Sequence, residues 1–295
     1  MKFSYSALAV SGLALATAQS NITCQDGVHI IVARASGEPA GFGILGPVKD
    51  NILRQIPNSD AIAVPYPAKL GGDITYPESE QEGVGNLTKL VTQYGDACSS
   101  SKMVLLGYSQ GAQVVGDTLI GIDYEKFPVW IKSAGVDQKY IDNIVAVVMM
   151  GDPANVHGEA INHGNSTRDG FFPRNNTAEW ANRGLVDKTI SYCDANDTFC
   201  DKGSSIAVHI GYIGEYGTQA AEFVVSKAGG SGSNSSSPSG TSSATPSATP
   251  STTTSGAPAA TTSPGSSGAS ALLSGQTTYN LVMLVGSAMI FAVAF

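Results

Sequence analysis

Five short apolar runs lie between residues 28 and 192, and most stop at a turn-forming residue. Residues 28–33 (VHIIVA) give way to Arg34-Ala35-Ser36-Gly37, 61–64 to Pro65, 103–106 to Gly107, and 144–150 (IVAVVMM) to Gly151-Asp152-Pro153; 189–192 is a weaker fifth. Continuous apolar runs of this length predict strands buried on both faces. Between them the period changes. Val84, Leu87, Leu90, Val91 and Tyr94 recur at helical spacing, and residues 111–119 and 217–227 read similarly. Strands alternating with helices predict a parallel sheet covered on both sides, with ligands bound beyond the carboxyl ends of the strands.

The two ends of the chain follow other patterns. Residues 1–18 carry Lys2, an apolar stretch and the small residues Ala16-Thr17-Ala18, the layout of a secretory signal peptide cleaved before Gln19. From 229 to 270 every residue is Gly, Ser, Thr, Pro, Ala or Asn. With no large apolar side chain to offset the entropy of ordering, this segment is expected to be a disordered stalk suited to O-glycosylation. Small residues at 267–270, a polar spacer and an uncharged apolar tail at 281–295 match a GPI-attachment signal, so 271–295 is expected to be removed. The tail is shorter than the roughly 20 residues a spanning helix needs. One folded domain, 19–228, remains.

That domain is acidic. With Lys2 set aside, the chain's 16 basic and 24 acidic residues leave it at −9, and nothing after Lys227 is charged. The absence of a basic cluster argues against nucleic acid or anionic headgroups as partners. In an exported chain the four cysteines are expected to form two disulfides. Cys193 and Cys200 enclose a short loop that closes at low entropic cost, which leaves Cys24 for Cys98. Their spacings match no zinc pattern, and neither metal nor cofactor is expected. Sequons occur at Asn21, Asn86, Asn165, Asn175, Asn196 and Asn234, each a candidate glycan site.

Gly107-Tyr108-Ser109-Gln110-Gly111 fits G-x-S-x-G. In so glycine-rich a chain the pattern alone is weak, but it falls where a buried strand gives way to a helix. There the turn is so tight that it lifts the hydroxyl above the sheet edge, and the helix N-terminus points at the reaction centre. Such a serine needs a base, and the base an orienting carboxylate, in the order Ser, acid, His. His29 precedes the serine and lies in a strand, and His157 and His163 sit in a polar stretch. His209, just ahead of the last helix, is the best placed. Asp197, inside the Cys193–Cys200 loop, is favoured as the acid over Asp152, whose other role would be capping the turn before Pro153. Asp194 and Asp201 border the same loop.

Taken together, "GYSQGA", "YCDANDTFC", "HIGYIGEYG" and "VARASGEP" resemble the cutinase and acetylxylan esterase family of secreted serine esterases across residues 24–227. The resemblance implies an α/β-hydrolase-like three-layer sandwich with a five-stranded parallel sheet, and a monomer acting on esters of a polysaccharide or polyester. It implies Ser109 as nucleophile, Asp197 as acid and His209 as base. The Gln110 backbone N–H and Ser36 would form the oxyanion hole, and Cys24–Cys98 and Cys193–Cys200 the disulfides. "YPAKLGG", "MGDP" and "SYCDAND" look closer to the acetylxylan esterase branch. Val208 and Ile210 beside the histidine, with Phe171-Phe172, would instead favour longer acyl chains and a cutinase. A different class of protein, a wall-associated adhesion protein without turnover, would also suit the stalk and anchor. Asn196 raises a separate question, since a glycan there would adjoin Asp197.

Overall fold

The computed structural model describes residues 22–229. The expected signal peptide, stalk and attachment signal lie outside them, as do Asn21 and Asn234. The strands are β1 (Val28–Ala33), β2 (Asp60–Ala63), β3 (Lys102–Tyr108), β4 (Ile144–Met150), β5 (Asn162–His163) and β6 (Thr189–Tyr192). The helices are α1 (Gly46–Gln55), α2 (Tyr76–Ala97), α3 (Gln110–Ile120), α4 (Gln138–Ile141), α5 (Glu179–Asn182), α6 (Ile206–His209) and α7 (Tyr212–Ala228). All strand pairs are parallel, in the order β2-β1-β3-β4-β6-β5.

The sheet therefore has six strands, not the expected five. The addition is β5, a two-residue polar edge strand on β6. It exists through backbone pairing alone, and Asn162-His163 carries no apolar signature from which it could be read.

Alternation along the strands builds two cores. Ile31, Ala33, Met103 and Leu105 face α2 and α3, packing on Leu87, Val91, Ala112 and Val115. Val28, Ile30, Val32, Val104 and Leu106 face α1 and α7, packing on Val48, Ile52, Ala221 and Val224. Every residue of α3 is buried. A capping box, with Thr75 accepting from the Glu78 N–H and Glu78 returning to the Thr75 N–H, starts α2. Both disulfides have the expected partners, Cys24–Cys98 and Cys193–Cys200. They fit an oxidising compartment.

The strand order reverses at β1, which has β2 on one side and β3 on the other. A crevice opens at the carboxyl ends of strands at such a point. The register pairs Ala33 with Gly107, so the turn carrying Ser36 and the turn carrying Ser109 emerge side by side.

Candidate active site

Ser109 sits between β3 and α3 with φ 53° and ψ −122°, a strained conformation for a residue with a side chain. Two glycines make the turn possible. A Cβ on Gly107 would lie 2.5 Å from the Gly111 carbonyl oxygen, and one on Gly111 would lie 2.1 Å from that of Ala33. The spacing of the motif is thus a steric requirement, with β1 and α3 in direct backbone contact. The Ser109 N–H is anchored on the Met150 carbonyl at 2.8 Å.

The structure brings Ser109, His209 and Asp197 together. His209 Nε2 lies 3.0 Å from Ser109 Oγ, and its Nδ1 lies 2.9 Å from Asp197 Oδ2. Ser109 and His209 are nearly buried and Asp197 is fully so. His209 ends α6, a single turn started by Ser205, whose hydroxyl accepts the Val208 N–H. Asp197 lies in the disulfide-closed loop, its Oδ1 accepting the N–H groups of Phe199 (2.6 Å) and Cys200 (2.9 Å). Its Oδ2 also accepts the Tyr212 hydroxyl at 2.7 Å. Burial pushes the Asp197 carboxyl up, but the His209 bond and charge, the Cys200 N–H and the Tyr212 hydroxyl outweigh it. The group is held below its ordinary range and stays ionised.

The other carboxylates have different partners. Asp152 does not reach His209. It pairs with Arg174 Nη1 at 2.5 Å, while Arg174 Nε holds Asp117 of α3 at 2.7 Å, in a buried ionic cluster. Asp194 accepts the Asn165 N–H and the Tyr216 hydroxyl; Asp201 accepts the N–H groups of Asn196, Thr167 and Arg168. His29 is stacked on Tyr94 and bonded to Asp60, and His157 and His163 are exposed.

Ser36 occupies a braced turn. Arg34 donates to the carbonyls of Glu38 and Tyr66, and the Tyr66 hydroxyl donates to the Arg34 carbonyl. Glu38 accepts the Ala35 and Ile44 N–H groups. Within this frame the Ser36 hydroxyl oxygen is buried without a hydrogen-bond partner. Gln110 is the first residue of α3, where a backbone N–H has no intrahelical acceptor. Its side chain is tied to Ser79 and to the Lys69 carbonyl. A hydroxyl and an N–H left unpaired beside a histidine-bonded serine can hold a developing oxyanion.

Several contributors carry no sequence signal of their role. Gly151, at φ +64°, leaves room for the imidazole, since a Cβ there would lie 2.8 Å from His209 Cε1. The Tyr108 hydroxyl donates to the His209 carbonyl at 2.5 Å. Phe199 packs edge-on against the His209 ring at 4.5 Å, and Phe171 lies beside Phe199. Val208 packs towards the core, contrary to its expected place on the rim; Ile206 and Ile210 are the exposed residues there. Asn196 is exposed and accepts the Ser204 N–H while Asp197 is buried, so these neighbours face opposite ways. Asn165 and Asn175 are likewise exposed, whereas the Asn86 amide donates to the Pro65 carbonyl.

A sequence model of the cutinase family matches residues 23–228. The chain belongs to the cutinase family. Acetylxylan esterase 2 of Talaromyces purpureogenus is 34% identical over 211 residues, covering 68% of this chain and 87% of that protein. Cutinase 11 of Verticillium dahliae is 32% identical over 238 residues, covering 77% and 78%. Among solved structures, the catalytic core domain of acetyl xylan esterase from Trichoderma reesei superposes with a TM-score of 0.63 at 30% identity, covering 70% of this chain and all of that one. Membership of the family makes this chain a serine carboxylic ester hydrolase, and its α/β fold is the one those acetyl xylan esterase structures share.

Proposed function

We propose that this cutinase-family esterase removes acetyl groups from xylan through an acyl-enzyme. Ser109 attacks the ester carbonyl carbon while His209 Nε2 takes the hydroxyl proton, and the resulting imidazolium is stabilised by ionised Asp197. The Gln110 N–H and the Ser36 hydroxyl donate to the carbonyl oxygen as it becomes negative. Collapse of the tetrahedral intermediate breaks the bond to the sugar oxygen, which leaves with the proton from His209. Water then attacks the acetyl-serine, His209 takes its proton, and acetate leaves as Ser109 regains a proton.

The observation that carries this reading is the hydrogen-bonded series from Ser109 Oγ through His209 to Asp197 in a family that contains acetylxylan esterases. A second reading, hydrolysis of longer acyl esters, is favoured by one specific feature. Ile206 and Ile210 are about half exposed on either side of His209, and Phe171 is 43% exposed beside Phe199. Rates on acetylated xylan, short acyl esters and long acyl esters separate the two. A steep fall beyond about four acyl carbons supports deacetylation; a preference for long chains reverses it.

The enzyme is further proposed to be exported, glycosylated at its exposed sequons and displayed on the cell surface through a Ser/Thr-rich stalk and a GPI anchor. Support comes from the two disulfides and from the composition of the segments flanking the domain. Release of activity from intact cells by a phosphatidylinositol-specific phospholipase tests the anchor.

A further inference from the structure

We propose that Tyr212 is a positioning residue of this site, its hydroxyl acting as the second donor to the Asp197 oxygen that holds His209. The proposal rests on the reading of Ser109, His209 and Asp197 given above and deepens it. Tyr212 opens α7 and is fully buried. Its hydroxyl accepts the Asp194 N–H at 2.9 Å and lies 3.4 Å from Cys200 Sγ, a disulfide sulfur with no proton to give. A phenol has one proton, and the strong acceptor within reach is Asp197 Oδ2 at 2.7 Å. The proton direction is therefore fixed by the neighbours.

The carboxylate has four hydrogen-bond partners around it, two backbone N–H groups on Oδ1 and two side chains on Oδ2. Oδ1 is held by the backbone of its own loop, whereas Oδ2 faces only His209 and Tyr212. Without the phenol proton, Oδ2 would concentrate its charge on the His209 N–H, with Asp197 itself shut off from solvent. That favours the imidazolium, so the neutral base would appear only at higher pH. The freed oxygen would also lose its lateral restraint, and the imidazole would be aimed less well at Ser109.

Other ionisable groups around the pair face elsewhere. From the loop, Asp194 is engaged by Asn165 and Tyr216, and Asp201 by Arg168 and three backbone N–H groups. From β3, the Tyr108 phenol is directed to the His209 carbonyl. From α7, Tyr216 reaches Asp194 and not Asp197. Among the described residues Tyr212 is the ionisable side chain other than His209 that bonds to the Asp197 carboxylate.

The test is the pH profile of p-nitrophenyl acetate hydrolysis by Tyr212→Phe, with Tyr216→Phe and Ser109→Ala alongside. Tyr212→Phe is expected to lower kcat roughly 10- to 100-fold with KM within about twofold, and to move the acid limb up by about half a pH unit. Tyr216→Phe, which removes a hydroxyl from Asp194 in the same loop, should keep the parent limb. A fluorinated tyrosine incorporated at position 212 preserves the shape while strengthening the donor, and should move the limb down. If the Tyr212→Phe profile superimposes on the parent, or if the fluorinated protein titrates unchanged, Tyr212 only packs and the proposal falls. The fluorinated protein decides the matter if the phenylalanine variant fails to fold. Full activity of Ser109→Ala would instead sink the underlying assignment of the site.

Discussion

Replacing Gly151 by alanine tests how closely the imidazole is held. The new Cβ would lie 2.8 Å from His209 Cε1, 2.9 Å from its Nδ1 and 3.2 Å from a ring carbon of Tyr212. Non-bonded carbon contacts relax near 3.5–4.0 Å, so the ring must retreat by roughly 0.7–1 Å. It cannot do so freely, because Phe199 packs against it and Asp197 holds Nδ1. A misplacement of about 1 Å at a reacting group costs on the order of 100-fold, and that is the expected loss in kcat for p-nitrophenyl acetate. Stability should fall far less. Alanine at φ +64° carries a left-handed penalty of about 1–2 kcal/mol. For a domain of this size that lowers Tm by roughly 2–8 °C. Circular dichroism melting and steady-state kinetics on the same preparation give both numbers. A variant that melts lower yet keeps kcat within about threefold of the parent would refute the claim that Gly151 makes room for a precisely seated histidine.

Three further outcomes follow from the same geometry. Ser36→Ala removes an unpaired hydroxyl and should lower kcat about 100-fold with little change in KM or Tm. Arg174→Met strands Asp117 and Asp152 as buried, unpaired carboxylates. Denaturant titration should show a loss of roughly 3–5 kcal/mol. Glu80 is buried with its carboxyl held well above the ordinary range, by desolvation first and then by the charge of Asp117. A folded pKa above the unfolded one gives a contribution that is complete below the unfolded value and lost as pH rises through the folded one. Glu80→Gln can keep the acceptor for Trp130, so it should raise Tm near about pH 8 and leave it almost unchanged near about pH 4.

The parts of the site that could be read from the chain are those whose chemistry is local. Ser109 announces itself because the tight turn demands glycine at both flanking positions, and His209 because chain order leaves it just before the last helix. Local chemistry does not separate Asp197 from Asp152. What occupies Asp152 is Arg174, 22 residues further along and carrying no motif of its own. Tyr212 reads as an ordinary helix residue and Gly151 as an ordinary turn glycine; their roles arise only when α7 and β4 meet at His209. Likewise, five strands are legible as apolar runs, although β2 at the sheet edge is only partly buried, whereas β5 is made by backbone pairing of two polar residues. Long-range approach, not residue type, decides these positions.

Every step proposed for this site depends on Ser109 being the nucleophile of an ester hydrolase. Intact and peptide mass spectrometry after treatment with a fluorophosphonate tests it most directly. A single adduct on the peptide carrying Ser109, matched by loss of p-nitrophenyl acetate hydrolysis and absent in Ser109→Ala, is the predicted result. An adduct on another residue, or parental hydrolysis by Ser109→Ala, would contradict it.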